Sequence, residues 1–229
     1  MTAQTEGSVD GFLSAPRVHT AITAGVEKRL LIGLARRTPA WISPDHLTAL
    51  GLSSQLGAGA AYALAAYDRR ALWLVSVFLL LNWLGDSLDG TLARVRNQQR
   101  PRYGFYVDHV SDAIGALALM GGLGCSGYLH WPVAAGMLVC FYALSIETYL
   151  ATYTLGRFHL SHGWFGPTEI RILLAVGNAV AFAKPFVAVG GREFLLFDFA
   201  GAIAIAGMTL MFLATAARHT AVLYREETR

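Results

Sequence analysis

The segment ALWLVSVFLLLNWLGDSLDGTLA, residues 71–93, decides the fold class of this chain. It is long enough for a helix to cross a lipid bilayer, which takes about 20 apolar residues at 1.5 Å each. Two acidic residues, Asp86 and Asp89, interrupt the apolar run near its end. Because a charge inside lipid is costly and usually serves a function, this segment predicts both a membrane span and a functional site.

The composition of the whole chain indicates a membrane protein. Of 229 residues, 55% are hydrophobic and 14% are charged, against about 45–50% and about 25% in ordinary soluble domains. Such a chain lacks the polar residues that the surface of a soluble protein needs. The net charge of +3 does not favour nucleic acid as a partner, because the basic residues cluster beside apolar runs instead of forming a continuous stripe.

Apolar runs of spanning length occur on both sides of residues 71–93, with short separators that carry turn or charged residues. No linker divides the chain, so we predict an all-α integral membrane protein with a single domain over residues 1–229 and a six-span bundle over residues 47–217. The six predicted spans are residues 47–67, 71–93, 105–128, 132–156, 166–184 and 194–217.

The N-terminal part is predicted to lie outside the bilayer. Residues 1–15 form a polar tail, and residues 16–38 place apolar residues at helical spacing with basic residues toward the end. This pattern predicts an interfacial amphipathic helix, with a soluble helix packed on a core as the alternative. Counting Lys and Arg by the positive-inside rule then places both termini and the connection after residue 93 in the cytoplasm, at the cell membrane. The basic residues left outside are Arg69, Arg70, Lys184 and Arg192.

Four carboxylates cluster in residues 86–112. Asp86 and Asp89 lie one helical turn apart, and Asp108 and Asp112 on the next span step by four, so each pair shares one helix face. The short connection makes the two helices antiparallel neighbours and can bring all four carboxylates together. Such groups near lipid must protonate, pair with cations or bind metal. Hard oxygen ligands suit Mg²⁺, Mn²⁺ or Ca²⁺.

A diphosphate-containing ligand would fit this arrangement. Two metal ions would balance the four charges and grip the diphosphate, which leaves Arg94 to reach a phosphate oxygen. Gly90, Ala93 and Gly104 lack side-chain bulk at positions where a nucleotide would approach closely.

The carboxylates belong to a recognised pattern, DxxDGxxAR, nine further residues, then GxxxDxxxD, which fills residues 86–112. This pattern resembles the signature of the CDP-alcohol phosphotransferases, also called CDP-alcohol phosphatidyltransferases. The segment SPDHLT, residues 43–48, is similar to the loop of that family that contacts the CDP moiety. The resemblance implies transfer of a phosphoryl-alcohol group, expected to be phosphatidyl, from a donor such as CDP-diacylglycerol to an alcohol with release of CMP. It also implies an interfacial helix, six spans and a homodimer.

The resemblance further implies roles for individual residues. Asp86 and Asp108 would bridge two ions of Mg²⁺ or Mn²⁺. Asp89 would complete the coordination of one ion, and Asp112 would complete that of the other. Asp112 would also act as the general base that takes the proton of the acceptor hydroxyl. The residues implied to hold the donor are Asp45, Thr48, Gly90 and Arg94.

The acceptor pocket is predicted from the other charges embedded in the spans, Glu147, Glu169 and Arg171. A Glu–Arg pair that ties two helices together is the alternative. The resemblance implies that a branch using inositol phosphate carries several basic residues in and after the fourth span, whereas residues 148–153 read TYLATY. A neutral polyol or an amine-bearing alcohol is therefore favoured, with the choice among them and the donor lipid left open.

Two other classes of protein also place carboxylates in membranes. A membrane prenyltransferase binds a diphosphate through aspartates and Mg²⁺, and NWLGD at residues 82–86 resembles part of its first motif, but its second motif would lie on a distant helix. A cation transporter would place charges near the bilayer midplane and show an internal repeat. The sequence shows no repeat, and its carboxylates lie at one boundary.

Overall fold

The computed structural model describes residues 24–155 and 167–228, and within them the chain is helical apart from one β-hairpin. The predicted helical class is therefore confirmed. The elements are α1 (Ala24–Arg37), α2 (Pro44–Ala65), α3 (Ala71–Val95), α4 (Pro101–Cys125), α5 (Trp131–Leu155), α6 (Pro167–Ala183), β1 (Phe186–Val189), β2 (Arg192–Leu195) and α7 (Leu196–Glu227).

Each of the six predicted spans corresponds to one helix from α2 to α7. Three of these helices, α3, α5 and α7, are long and apolar enough to cross a membrane. The chain is a membrane protein, because apolar helices of this length need lipid as their surroundings. The number of crossings stays a prediction.

The segment between α6 and α7 differs from the prediction. The second strand, Arg192–Leu195, pairs antiparallel with the first, so Phe186 lies opposite Leu195. Gly190 and Gly191 form the turn with φ values of +59° and +80°, which glycine adopts at little cost. The prediction began the last span at residue 194 because Phe194 and Leu195 merge with the apolar run that follows. The helix begins instead at Leu196 and extends to Glu227, past the predicted end at 217.

The first helix, α1, covers the second half of the predicted interfacial helix, whereas residues 16–23 and the polar tail lie outside the described residues. Leu31 and Ala35 of α1 are buried, and they pack with Leu88 and Leu92 of α3. Leu30 on the same helix is 48% exposed. The apolar residues of α1 are therefore divided between the protein and its surroundings, and the interfacial position stays a prediction.

Hydrogen bonds also hold α1 in place. The carboxylate of Glu27 accepts hydrogen bonds from Trp83 Nε1 on α3 at 2.8 Å and from Thr168 Oγ1 on α6 at 3.2 Å. This single side chain joins three helices at the end of the molecule where the acidic residues of α3 lie.

Helix α2 packs closely against both α3 and α4, and the extensive contacts of α3 and α4 are with α2 instead of with each other. Glycines allow this approach. A Cβ atom on Gly122 of α4 would lie 1.9 Å from the carbonyl oxygen of Gly59 on α2, and one on Gly85 of α3 would lie 2.6 Å from the backbone nitrogen of Gly51. Small residues let membrane helices meet backbone to backbone. Helix α6 packs on α3, and α5 joins α4 to α7.

Candidate active site

A small cavity lies between α2, α3 and α4, and the four predicted metal ligands line it. Asp86 and Asp89 come from α3, and Asp108 and Asp112 come from α4. The cavity has a volume of about 20 Å³, room for about one water-sized group. The remaining lining residues are Thr48, Gly51, Leu52, Gln55, Asn82 and Ser111. The structure thus brings together side chains that the sequence predicted to meet.

The connection between α3 and α4 explains why the two acidic faces oppose each other. Helix α3 ends at Val95, and Asn97 adopts a left-handed conformation with φ of 55°, which reverses the chain direction within a few residues. Pro101 starts α4 at a position where its missing N–H has no helical partner to lose. Asp108 and Asp112 then lie in the first half of α4, and they meet Asp86 and Asp89 in the second half of α3 at one cavity.

The four carboxylates are close enough to repel one another. Asp112 is repelled by Asp86, Asp108 and Asp89, and it is attracted by Arg171. Asp89 is 9% exposed. Charges in such surroundings are screened less than charges in water, so the cluster needs cations to be stable.

Arg171, at the start of α6, provides one of those cations. Its Nη2 donates to Asp86 Oδ2 at 2.7 Å, and its Nε donates to Asn82 Oδ1 at 2.7 Å. The sequence analysis assigned Arg94 to a phosphate oxygen and Arg171 to the acceptor pocket, and it did not predict the contact of Arg171 with Asp86. Nothing local in the sequence could have indicated it, because Arg171 and Asp86 are 85 positions apart.

Thr48, which the sequence predicted to hold the donor, lies at the same cavity. Its Oγ1 donates to Asp89 Oδ2 at 2.7 Å, and it lines the cavity from α2. Gly90, Ala93 and Arg94 follow on α3, and Arg94 Nη2 donates to Thr91 Oγ1 at 3.0 Å. A Cβ atom on Gly104 would meet no atom within 4 Å, so this position at the start of α4 is open.

Asp45 lies in a second, larger cavity beside the first. Ser43 caps α2 with His46 in a capping box, which places Asp45 in the first turn of that helix. Asp45 forms an ion pair with Arg100, from the connection between α3 and α4. The cavity has a volume of about 350 Å³ and lies between these two segments. Its lining residues are Ser43, Pro44, Asp45, Gln98, Gln99 and Arg100.

Arg96 fixes the segment that precedes Asp45, and the sequence did not predict this contact. Its guanidinium donates to the carbonyl oxygens of Ile42 at 2.6 Å, Thr38 at 2.9 Å and Pro39 at 2.9 Å. Backbone acceptors in a connection carry no side-chain signature, so such a contact is visible only in the folded chain. Arg96 holds the connection between α1 and α2 against the end of α3.

The three predicted acceptor residues lie on two helices, α5 and α6. Glu147 is buried on α5, and its Oε1 contacts Nδ1 of His219 on α7 at 2.5 Å. Glu169 precedes Arg171 on α6, at the end of that helix nearest the aspartates. Arg171 pairs with Asp86 and Glu147 with His219.

Tyr149, within the TYLATY segment at residues 148–153, connects α5 to residues of α4 near the aspartate cluster. Its ring lies 4.7 Å from the His109 ring and 6.4 Å from that of Phe105, both on α4. Tyr149 also lies close enough to Asp112 to interact with its charge. Nδ1 of His109 contacts the carbonyl oxygen of Phe105 at 2.6 Å, one turn back on the same helix.

The donor set of this cavity fits a hard divalent cation, since carboxylate oxygens are the ligands that Mg²⁺ and Mn²⁺ prefer. Over the residues that the structure describes, no three His, Cys, Asp or Glu side chains are already gathered closely enough to hold a metal ion. Asp86 is turned toward Arg171 and Asp89 toward Thr48. All four aspartates nevertheless line the same cavity, so carboxylate oxygens are available to a cation there.

Comparison with known proteins adds a family and a fold. The family model described as CDP-alcohol phosphatidyltransferase matches residues 41–216, a range that contains all four aspartates. Among solved structures, the phosphatidylinositol phosphate synthase of Mycobacterium tuberculosis with CDP-DAG bound is similar. It is 21% identical with a TM-score of 0.50, over 87% of this chain and 92% of that one. The same enzyme in complex with manganese and citrate is 20% identical with a TM-score of 0.52, over 86% and 87% of the two chains. At these identities the likeness shows a shared fold.

Proposed function

Because this chain belongs to the CDP-alcohol phosphatidyltransferase family, we propose that it transfers a phosphatidyl group from CDP-diacylglycerol or a related CDP-activated lipid to an alcohol and releases CMP. The observation that carries this proposal is the meeting of Asp86, Asp89, Asp108 and Asp112 at one cavity. The reaction is a head-group transfer of phospholipid synthesis, and it would take place at the membrane in which the apolar helices lie.

The four aspartates are the proposed ligands of two divalent cations, Mg²⁺ or Mn²⁺. The carboxylates of Asp86, Asp89, Asp108 and Asp112 would hold these ions at the cavity that they line. When bound, the ions neutralise the diphosphate of the donor and stabilise the departing CMP. The crystal structure of the mycobacterial enzyme in complex with manganese supports this choice of metal.

Asp112 is the proposed general base. It lines the cavity from α4 and is therefore available to a hydroxyl that enters there. Asp112 accepts the proton of the acceptor hydroxyl, and the hydroxyl oxygen forms a bond to the phosphorus that carries the lipid alcohol. The bond from that phosphorus to the CMP oxygen breaks, and CMP leaves with the electron pair. A base positioned in this way typically contributes about 10²–10⁴-fold to the rate.

The donor is proposed to lie across the two neighbouring cavities. Thr48 lines the aspartate cavity and Asp45 lines the larger one, so a nucleotide diphosphate that spans them would contact both. The remaining residues proposed to contact the donor are Gly90, Ala93, Arg94 and Gly104.

The acceptor is proposed to approach from α5 and α6. Glu169 and Arg171 lie at the start of α6, and Tyr149 of α5 lies close enough to Asp112 to interact with its charge. Glu147 is a weaker candidate, because its carboxylate is engaged with His219. A neutral polyol or an amine-bearing alcohol remains the favoured class.

The finer architecture is also proposed. We infer a single domain of six spans, preceded by an interfacial helix, with both termini and the aspartate cavity facing the cytoplasm at the cell membrane. Asp45, Asp108 and Arg171, which come from different parts of the sequence, would then all lie on the cytoplasmic side. Soluble alcohols and CDP-linked lipid would both be accessible there. A homodimer is proposed from the family.

Incubation of the purified protein with Mg²⁺, radiolabelled CDP-diacylglycerol and a panel of alcohols tests this function. We expect CMP release that requires both the metal and one class of alcohol, with the label appearing in a new phospholipid. The panel should include serine, glycerol, inositol, their phosphorylated forms and an aminoalcohol. Release of pyrophosphate from a prenyl diphosphate would support the prenyltransferase class instead, and cation flux in liposomes without CMP release would support a transporter.

A further inference from the structure

Arg171 joins the aspartate cluster to α6 through two nitrogens of its guanidinium. One nitrogen donates to Asp86 Oδ2 at 2.7 Å, and another donates to Asn82 Oδ1 at 2.7 Å. Asn82 is itself held, because its Nδ2 donates to the carbonyl oxygen of Gly51 on α2 at 2.9 Å. The Arg171 side chain is 14% exposed. The guanidinium is therefore fixed in one orientation by two side chains of α3, one of which is itself anchored to α2.

The charge of Arg171 is permanent, because a guanidinium does not lose its proton in proteins. It acts on more than its direct partner, since it also attracts Asp112 across the cavity. The same cavity is where Asp86 and Asp112 repel each other. Arg171 thus offsets part of the repulsion among the carboxylates that line it.

We propose that Arg171 is a built-in counter-cation of the aspartate cluster, a positioning residue that holds Asp86 and competes with divalent cations for its carboxylate. The inference rests on the proposed function, because it takes the cluster as the metal site. A cation entering the cavity meets a carboxylate already engaged by Arg171 and feels repulsion from its charge. Arg171 therefore weakens metal binding and stabilises the fold when divalent cations are scarce.

A purely structural role, in which Arg171 only links two helices, predicts a different result. If Arg171 only linked α6 to α3, its loss would lower stability and leave metal affinity unchanged or weakened through distortion of the site. A counter-cation predicts the opposite change in affinity, because its removal frees a carboxylate and removes a like charge next to the incoming ion. The sign of the change in metal affinity separates the two roles.

Arg171→Gln in the full chain, purified in detergent, tests the inference by Mn²⁺ titration calorimetry and thermal unfolding with and without Mn²⁺. We expect the Kd for Mn²⁺ to fall roughly tenfold, the magnitude of one nearby charge in a partly screened site. The Tm in chelator should fall, and saturating Mn²⁺ should restore it to the wild-type value. Arg69→Gln is the matched control, because Arg69 lies over the Phe182 ring at 4.9 Å and away from the cavity. Its Kd should stay within about twofold of wild type, since a distant exposed charge is screened.

Arg171→Lys provides the second variant. Lysine keeps the charge but loses the planar fork that contacts Asp86 and Asn82 together. We expect a lower Tm in chelator and a Kd for Mn²⁺ within about threefold of wild type, since the charge is retained. If the Gln variant does not fold even with Mn²⁺, the Lys variant tests the inference instead. A Kd for Mn²⁺ more than about tenfold weaker than wild type in the Lys variant then overturns the inference.

The outcomes also separate this inference from the proposed function. Wild-type protein that takes up no Mn²⁺ or Mg²⁺ overturns both. Wild-type protein that binds Mn²⁺ and releases CMP, together with a Gln variant that binds no more tightly, overturns the role of Arg171 alone.

Discussion

The group formed by α2, α3 and α4 is closed at one end and open at the other. At the closed end a Cβ atom on Gly122 would lie 1.9 Å from the Gly59 carbonyl oxygen, so the helix backbones touch. At the open end, four carboxylates line a cavity between the same helices. Small neutral residues let helices approach closely, whereas like charges repel and require a counter-ion between them. We infer that the closed end supplies stability and the open end supplies chemistry.

The closed end contains polar groups as well, but they are neutral and paired. Tyr62 on α2 is completely buried, and its hydroxyl donates to Asn178 Oδ1 on α6 at 2.9 Å. Asn178 Nδ2 in turn donates to Ser76 Oγ on α3 at 3.3 Å. A buried polar group with a protein partner serves structure, while a cluster of like charges indicates a ligand.

The largest expected effect is at the open end, for Asp112→Asn. The amide keeps the shape but cannot accept the acceptor proton, so CMP release should fall about 10³-fold. Thermal stability should stay equal or rise, because one of four like charges is removed. Both are measured on purified protein with CDP-diacylglycerol and by a melting curve.

Asp68→Asn is the control for that variant, because Asp68 lies in the connection between α2 and α3 and accepts a hydrogen bond from the Arg70 backbone nitrogen. Its activity should match wild type. An Asp112→Asn enzyme that releases CMP at the wild-type rate would show that the open end does not supply the base.

The next effect is at the closed end, for Gly122→Ala. The added methyl meets backbone that no rotamer change can move, so we expect a loss of about 1–3 kcal/mol in unfolding free energy. The neighbour Gly121 is the matched control, since a Cβ atom there meets nothing within 4 Å. Gly121→Ala should be neutral or stabilise by up to about 1 kcal/mol through helix propensity. Equal stability of the two variants, measured by denaturant titration in micelles, would contradict the backbone contact.

The smallest effect is expected for Tyr62→Phe, which leaves the Asn178 oxygen without its donor. Hydrogen bonds between membrane helices are worth about 1 kcal/mol, and the unfolding free energy should drop by about that amount with no change in CMP release. Tyr67→Phe, at a side chain that is 91% exposed, should change neither quantity. A loss of activity in Tyr62→Phe would mean that the two ends are coupled.

Much of the helical architecture could be predicted, with bounds close to those observed. The span predicted at residues 71–93 is the helix Ala71–Val95, and that at 132–156 is Trp131–Leu155. The hairpin at residues 186–195 could not be predicted, because each strand has only four residues and the apolar residues of the strands continue into the next helix. Short strands carry too little periodicity to be separated from a neighbouring apolar run.

The sequence alone determines the apolar helices and the two acidic helix faces, because both features follow from residue spacing along single helices. The folded arrangement decided which charges meet across helices. In the folded chain Asp86 pairs with Arg171 and Glu147 pairs with His219, while Arg96 donates hydrogen bonds to the connection after α1. These partners are far apart in the chain, and a charged side chain pairs with whatever the packing of small residues brings within reach. Spacing is a local property, whereas the neutralisation of a buried charge depends on the whole fold.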